Sequence, residues 1–188
     1  MFLKHFAFKK NLSKFSLIFT HLTEDEKLKL YNLSSSLSQG SVIVELGSYL
    51  GASSSFLALG AKHNKSNVYC VDTWQNDEMS EGLRDTYSEF LRNTKPVSKY
   101  IEPHRGLSID IAIHFDKKID MIFFDGGHSY ETVKSDWDAW SPKLKIGSLV
   151  VFHDIGWADG VKKVVNENVE PLLLKHEQSS NMYWGIIK

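Results

Sequence analysis

The chain is predicted to fold as a doubly wound α/β domain: a seven-stranded, mostly parallel sheet with helices on both faces and an antiparallel hairpin at its end. Three observations carry this. Runs such as IDMIFF and SLVVF are apolar along their whole length, as strands buried on both faces must be. Helical patterns of about 10–15 residues separate them, the spacing of strand–helix–strand crossovers. The last two strand-like runs, PLLLKHE and MYWGIIK, flank the turn-like QSSN and read as a hairpin.

The elements follow in order. A helix opens at Thr23, where T-E-D-E offers a capping box between Thr23 and Glu26, and is expected to end near Gly40. SVIVELG is the first strand and GASSSFLALGAKH its helix. NVYCVDT is the second strand, followed by the helix SEGLRDTYSEFLRNT. KYIEPHRG is a weak third strand, broken by Pro103, and SIDIAIHF a short helix. IDMIFFDG and GSLVVFHD are the fourth and fifth strands, followed by the helices SYETVKSDWDAW and GWADGVKKVVNENV. Tyr130, Val133, Trp137 and Trp140 recur at helical spacing and are expected to pack on the sheet, as are Trp157, Val161, Val164 and Val165. Residues 1–40 are read as an arm and helix packing on a domain that spans 41–188.

Composition narrows the function classes. At 188 residues, with 42% apolar and 24% charged residues, the chain has the profile of one globular domain. Basic and acidic residues number 22 and 23, a net charge of −1, so no global field draws in nucleic acid or anionic membrane. A small-molecule ligand and a cytoplasmic location fit this balance better. Cys70 is the single cysteine; it lies in the apolar run VYCV and reads as a buried hydrophobe in a reducing compartment. The apolar runs fall short of the roughly 20 residues needed to span a bilayer. The N-terminal arm is basic and aromatic, with Phe2, Phe6, Phe8, Phe15 and Phe19, and is expected to pack on the domain or on a second copy; a homodimer is compatible with it.

In an open α/β sheet, ligands bind beyond the carboxyl ends of the strands. The first strand ends in VELGSYLGAS, where Gly47 and Gly51 let backbone N–H groups and a helix N-terminus come close to a ligand. The second strand ends in Asp72, 25 residues beyond Gly47, placed to accept hydrogen bonds from ribose hydroxyls. Glu45 before the turn suits a cationic ligand end better than a pyrophosphate. An adenosyl compound with an amino-acid tail therefore fits better than a dinucleotide. The fourth strand ends in FFDGGHSYE and the fifth in VFHD. Asp125 and the pair His153–Asp154 lie 28 and 29 residues apart, at neighbouring strand ends. Two carboxylates and an imidazole converging there can ligate a divalent ion.

From about residue 40 onward the chain resembles the class I S-adenosylmethionine-dependent methyltransferases, which have a Rossmann-like fold. E-L-G-S-Y-L-G matches the first motif of that family, V-D-T-W the acidic end of strand two, and G-L-S-I-D the turn that touches adenine. F-F-D-G-G-H and V-F-H-D match the ends of strands four and five. The resemblance implies that Glu45, Gly47, Ser48 and Gly51 hold the methionine end and its turn. It places Asp72 on the ribose, Thr73 or Trp74 beside adenine, and Ser108 near the adenine edge. The spacing of Asp125, His153 and Asp154 further resembles metal-dependent O-methyltransferases of the catechol type and those acting on macrolide sugars. It implies Mg or Mn at these three residues, Asp125 also bordering the cofactor, and His128 as the base. An acid stands in those families where this chain has His153.

The acceptor implied is a small hydroxyl compound such as a sugar or phenolic metabolite. Two alternatives stay open: metal-independent transfer with His128 or His153 as base and Asp125 orienting the acceptor, and a domain that binds the cofactor without chemistry. The acidic and basic side chains Asp77, Glu78, Glu81 and Arg84 after strand two belong either to a cofactor lid or to a solvated helix face. His5, His21, His63, His104, His114 and His176 are expected to be ordinary surface or core residues.

Overall fold

A computed structural model describes residues 14–76 and 82–188. Phe2, His5, Phe6 and Phe8 of the arm, and Asp77, Glu78 and Glu81 after the second strand, lie outside the described residues. The strands are β1 (Val42–Leu46), β2 (Asn67–Asp72), β3 (Ile101–Arg105), β4 (Ile119–Phe124), β5 (Leu144–His153), β6 (Leu173–Gln178) and β7 (Met182–Ile187). They form one sheet in the order β3-β2-β1-β4-β5-β7-β6. β1 to β5 pair in parallel, and β7 runs antiparallel to both β5 and β6. The α-helices among the described residues are α1 (Glu24–Ser35), α2 (Ala52–Asn64), α3 (Tyr87–Thr94), α4 (Ser108–His114), α5 (Tyr130–Trp140) and α6 (Asp159–Val164). None is long and apolar enough to cross a membrane.

The pleat of the strands divides the interior into two cores, because successive side chains face opposite sides of a sheet. Val44, Leu46, Ile122, Phe124, Val150 and Phe152 pack with residues of α4, α5 and α6. Ile43, Val68, Cys70, Met121, Phe123 and Val151 pack with α1, α2 and α3. On the first side, the Phe124 and Phe152 rings stack at 4.4 Å beneath Trp137. Trp140 is fully buried there, so the helical stripe read from the sequence is core. Cys70 is buried as expected.

Local chemistry explains where elements depart from their expected ends. α1 stops at Ser35 rather than near Gly40. The hydroxyls of Ser34, Ser35 and Ser36 donate to the carbonyls of Tyr31, Asn32 and Leu33, a side-chain alternative to continuing the helix. Pro103 stands within β3 because β3 is an edge strand, where a missing N–H costs least. α3 begins at Tyr87, seven residues later than Ser80, where the sequence pattern starts. After α6 the backbone passes through a π turn over Val165–Val169, so the last helix is interrupted.

The strand order reverses at β1: the chain proceeds to β2 and β3 on one side and to β4 and β5 on the other. The register pairs Leu46 with Phe124 and Phe124 with Phe152. Gly47 and Asp125, which follow β1 and β4, and His153, the last residue of β5, therefore lie at one level. That alignment is what brings separate sequence motifs to one crevice.

α1 docks on α2 at Gly60, where a Cβ would lie 2.7 Å from the Tyr31 carbonyl oxygen and overlap the Ser34 hydroxyl. Gly60→Ala should therefore lower stability by about 1 kcal/mol or more in urea unfolding, overpacking outweighing the gain in helix propensity. A variant as stable as its parent would show that α1 can shift freely on α2.

Candidate functional site

The turns after β1, β2, β3, β4 and β5 surround one cavity of about 850 Å³. On the side formed by the β1 and β2 turns the organising group is Asp72. Its Oδ2 accepts hydrogen bonds from the backbone N–H groups of Ser48 at 2.7 Å and Tyr49 at 2.8 Å, and its Oδ1 accepts from Trp74 N–H at 2.6 Å. One carboxylate at the tip of β2 thus shapes both its own turn and the glycine turn beside it. Gly47 has φ +86°, and a Cβ there would overlap the Asp125 carbonyl. Only glycine lets the β1 and β4 turns approach this closely.

Gly47, Ser48, Asp72, Thr73, Ser108 and Asp125 all line the cavity. Ser108 also accepts a hydrogen bond from Trp140 Nε1 at 2.8 Å, which ties its helix to α5. Three expected contact residues do not line it. Trp74 is fully buried against Tyr87 and Phe90, its indole N–H donating to the Tyr49 carbonyl, so it is scaffold. Gly51 caps α2 in the left-handed region, and a Cβ there would collide with Thr94 and Phe90 of α3; its glycine serves packing.

Glu45 is the third such residue. It is fully buried behind the cavity wall. It shares the face of Ile43, the side covered by α2, because the pleat places alternate residues together. Its Oε2 accepts from the hydroxyls of Ser48 and Ser54, while Oε1 has no hydrogen-bond partner. Burial raises its pKa to about 7, the serine hydroxyls only partly offsetting that effect. Ser48 and Ser53 line the cavity, so serine side chains stand at the wall in front of this carboxyl.

The other side of the cavity holds the acid–histidine cluster. Asp125, His153 and Asp154 each offer one ligand atom, and these lie within 4.8 Å of one another. His153 Nδ1 sits 3.0 Å from Asp125 Oδ1 and 3.1 Å from Asp154 Oδ1. Burial disfavours the imidazolium, yet the two carboxylates outweigh it and raise the His153 pKa to about 11. Burial pushes Asp125 up, and attraction to His153 only partly opposes that. Burial acts the same way on Asp154, but hydrogen bonds from His128 and His153 win and hold it well below the usual carboxylate range. Two carboxylates and one imidazole suit a borderline divalent ion such as manganese, iron or zinc, with magnesium favoured less than by an all-oxygen set.

His128 joins the cluster, its Nε2 lying 2.8 Å from Asp154 Oδ2. Asp154 has φ +60°, a backbone bend that turns the chain sharply after β5. That bend carries Trp157 away from the core stripe predicted for it. Trp157 is 61% exposed, lines the cavity, donates its indole N–H to Asp154 Oδ1 at 2.7 Å and packs over the His128 ring at 4.9 Å. Val161, Val164 and Val165 are core as expected.

Other contributors escaped the sequence. Asn181, in the QSSN turn, donates to Asp154 Oδ1 at 3.1 Å and accepts from Gly156 N–H at 3.0 Å. Phe19, Thr20, His21 and Leu22 also line the cavity, the Phe19 ring standing edge-on to Tyr49 of the glycine turn at 6.3 Å. Phe15 is buried in the core, whereas Phe19 is 54% exposed. Nothing local in F-T-H-L marks a wall, since apolar and polar residues simply alternate there; the placement comes from how α1 docks.

A family model described as a methyltransferase domain matches residues 44–155, more than half of the chain. The protein y4gI of Sinorhizobium fredii is 31% identical over 116 residues, 60% of this chain, which spans only 13% of that protein. Among solved structures, the O-methyltransferase NovP superimposes with a TM-score of 0.74 at 15% identity, covering 90% of this chain and 82% of that one. The O-methyltransferase TomG of Streptomyces achromogenes, solved with S-adenosylmethionine, gives 0.67 at 16% identity, covering 95% and 86%. At such identities the likeness to the two structures is one of fold.

Glu45 generates a pH test. Its raised pKa means the folded chain holds that proton more tightly than the unfolded chain. The favourable contribution is complete below about pH 4.5 and is lost as pH rises towards 7. Glu45→Gln should therefore gain on its parent by roughly 3 kcal/mol between pH 4.5 and pH 8, read from urea unfolding at both. A difference between the two proteins that stays flat with pH would mean that Glu45 is not desolvated.

Proposed function

The chain belongs to the methyltransferase-domain family, and from that premise we propose that it transfers a methyl group from S-adenosylmethionine to a hydroxyl of a small acceptor, assisted by a divalent metal. The observation that carries this reading is the convergence of Asp125, His153 and Asp154 on the cavity that Gly47 and Asp72 also line. When bound, the sulfonium supplies an activated methyl group, and the metal lowers the pKa of a hydroxyl held against it.

The chain's own residues do the rest. Asp72, with the N–H groups it orders, supports the ribose end, and Thr73 and Ser108 border the adenine. Ser48 and Ser53 face the amino-acid end with Glu45 behind them. Asp125, His153 and Asp154 hold the ion. Asp154 stays ionised through the neutral range and accepts from His128 Nε2, which selects the tautomer whose Nδ1 is basic. His128 then takes the acceptor's proton. Phe19 to Leu22 and Trp157 border the acceptor side and orient an apolar body. The near-zero net charge favours a small acceptor over a polyanion.

A second reading is favoured by the 2.8 Å His128–Asp154 contact, which is already a base with its orienting acid. In it His153 remains a cation tying Asp125 to Asp154, and transfer needs no metal.

Calorimetric titration with S-adenosylmethionine, in chelator and with Mn²⁺, separates the two. Asp72→Ala should weaken cofactor binding by roughly 2–4 kcal/mol, given about 1–2 for each charge-assisted hydrogen bond. Asp154→Ala should keep cofactor affinity and abolish the Mn²⁺ heat. A folded Asp72→Ala that binds as its parent does would move the ribose elsewhere. A Mn²⁺ heat that survives Asp154→Ala, or turnover undiminished in chelator, would remove the metal from the mechanism.

A further inference from the structure

Glu26 lies 127 residues before His153, in the first turn of α1, yet its Oε2 sits 3.5 Å from His153 Nε2. Both residues are buried, at 6% and 4% exposure. Its local work is the capping box: the same Oε2 accepts from Thr23 N–H at 2.8 Å and from the Thr23 hydroxyl at 2.9 Å. A capping box needs an acceptor but no charge, since glutamine serves equally well. A carboxylate withdrawn from water is costly unless a cation or a donor compensates it. Besides the two Thr23 donors, the surrounding geometry offers the second nitrogen of the imidazole that Asp125 and Asp154 hold by the first.

We propose that Glu26 is a positioning residue for His153, its carboxylate holding the plane of the ring from the Nε2 side so that Nδ1 faces Asp125 and Asp154. This rests on the functional reading above for its consequence at the metal, and on geometry alone for its effect on His153. An imidazole that gives Nδ1 to an ion must carry its proton on Nε2, and an outer carboxylate accepting that proton orients the ring and raises its basicity. Asn181 Nδ2, 3.3 Å from Nε2, is a donor and cannot take that role while its Oδ1 is engaged by Gly156 N–H. Glu26 can. The helix whose preceding residues wall the cavity is thereby also the helix that sets a ligand of the cluster.

The test compares Glu26→Gln with Thr23→Ala in the full chain. Glu26→Gln keeps the capping bond and removes the charge; Thr23→Ala breaks the cap and keeps the charge. Mn²⁺ affinity, read by the electron paramagnetic resonance of the free ion without cofactor or acceptor, should fall about 10–100-fold in Glu26→Gln. It should stay at the parent value in Thr23→Ala, although that variant is the less stable. In the metal-free proteins, the ¹⁵N shift of His153 Nε2 should move in Glu26→Gln and hold in Thr23→Ala. If both variants match the parent in both readouts, or Thr23→Ala weakens Mn²⁺ as much as Glu26→Gln does, Glu26 is only a cap and the proposal falls. If the parent binds no Mn²⁺ while Nε2 still moves in Glu26→Gln, the metal reading fails and the positioning role stands.

Discussion

Three backbone amides converge on one carboxylate, and the side of the cavity built by the β1 and β2 turns depends on that convergence. Asp72 fastens the Ser48–Tyr49 turn of β1 to the end of β2, and its second oxygen holds Trp74 N–H. With the turn pinned from one side, Gly47 can lean on the Asp125 carbonyl from the other. Each contact alone is a modest hydrogen bond or van der Waals approach. Together they hold three strand ends at one level, which the parallel register has already aligned. A substitution at Asp72 therefore acts on loop geometry as well as on any ligand the carboxylate touches.

The opposite wall obeys a different constraint. Asp125, Asp154 and Glu26 surround a buried imidazole, an arrangement stable only if positive charge sits among the carboxylates. The carboxylates raise the pKa of His153, which favours a proton there, and a divalent ion would supply more charge. Trp157, Asn181 and His128 saturate Asp154 with donors, so its geometry is fixed from several directions at once. Rigidity of this kind is what a site must have to hold reacting groups in line.

Much of this was legible in the residues themselves. Strand and helix periods differ, and the seven strands and the helices between them could be counted from that difference. Strand-end motifs in a parallel sheet meet by topology, so Asp125, His153 and Asp154 could be brought together before any coordinates. What could not be read depends on contacts distant in sequence or on single backbone angles. The left-handed Asp154 diverts Trp157 out of a stripe that looked like core. Ser34 to Ser36 end a helix through hydroxyl bonds that a propensity pattern does not register. The Thr23–Glu26 box was visible as a cap, but its carboxylate reaches His153 only once α1 has docked on α2. Glu45 is a different case. Its inward direction follows from the pleat of VIVEL, which puts it on the face of Ile43.

The position of Trp157 has an optical consequence. The other four of the chain's five tryptophans are buried at 8% exposure or less, and this one stands in water with its indole N–H on Asp154. Its emission should lie to the red of the rest, and aqueous quenchers should extinguish it first. Anything that enters the cavity or rearranges the carboxylates must change the field and solvent around that one ring. The molecule carries its own fluorescent reporter, placed by the fold beside the Asp125–His153–Asp154 cluster.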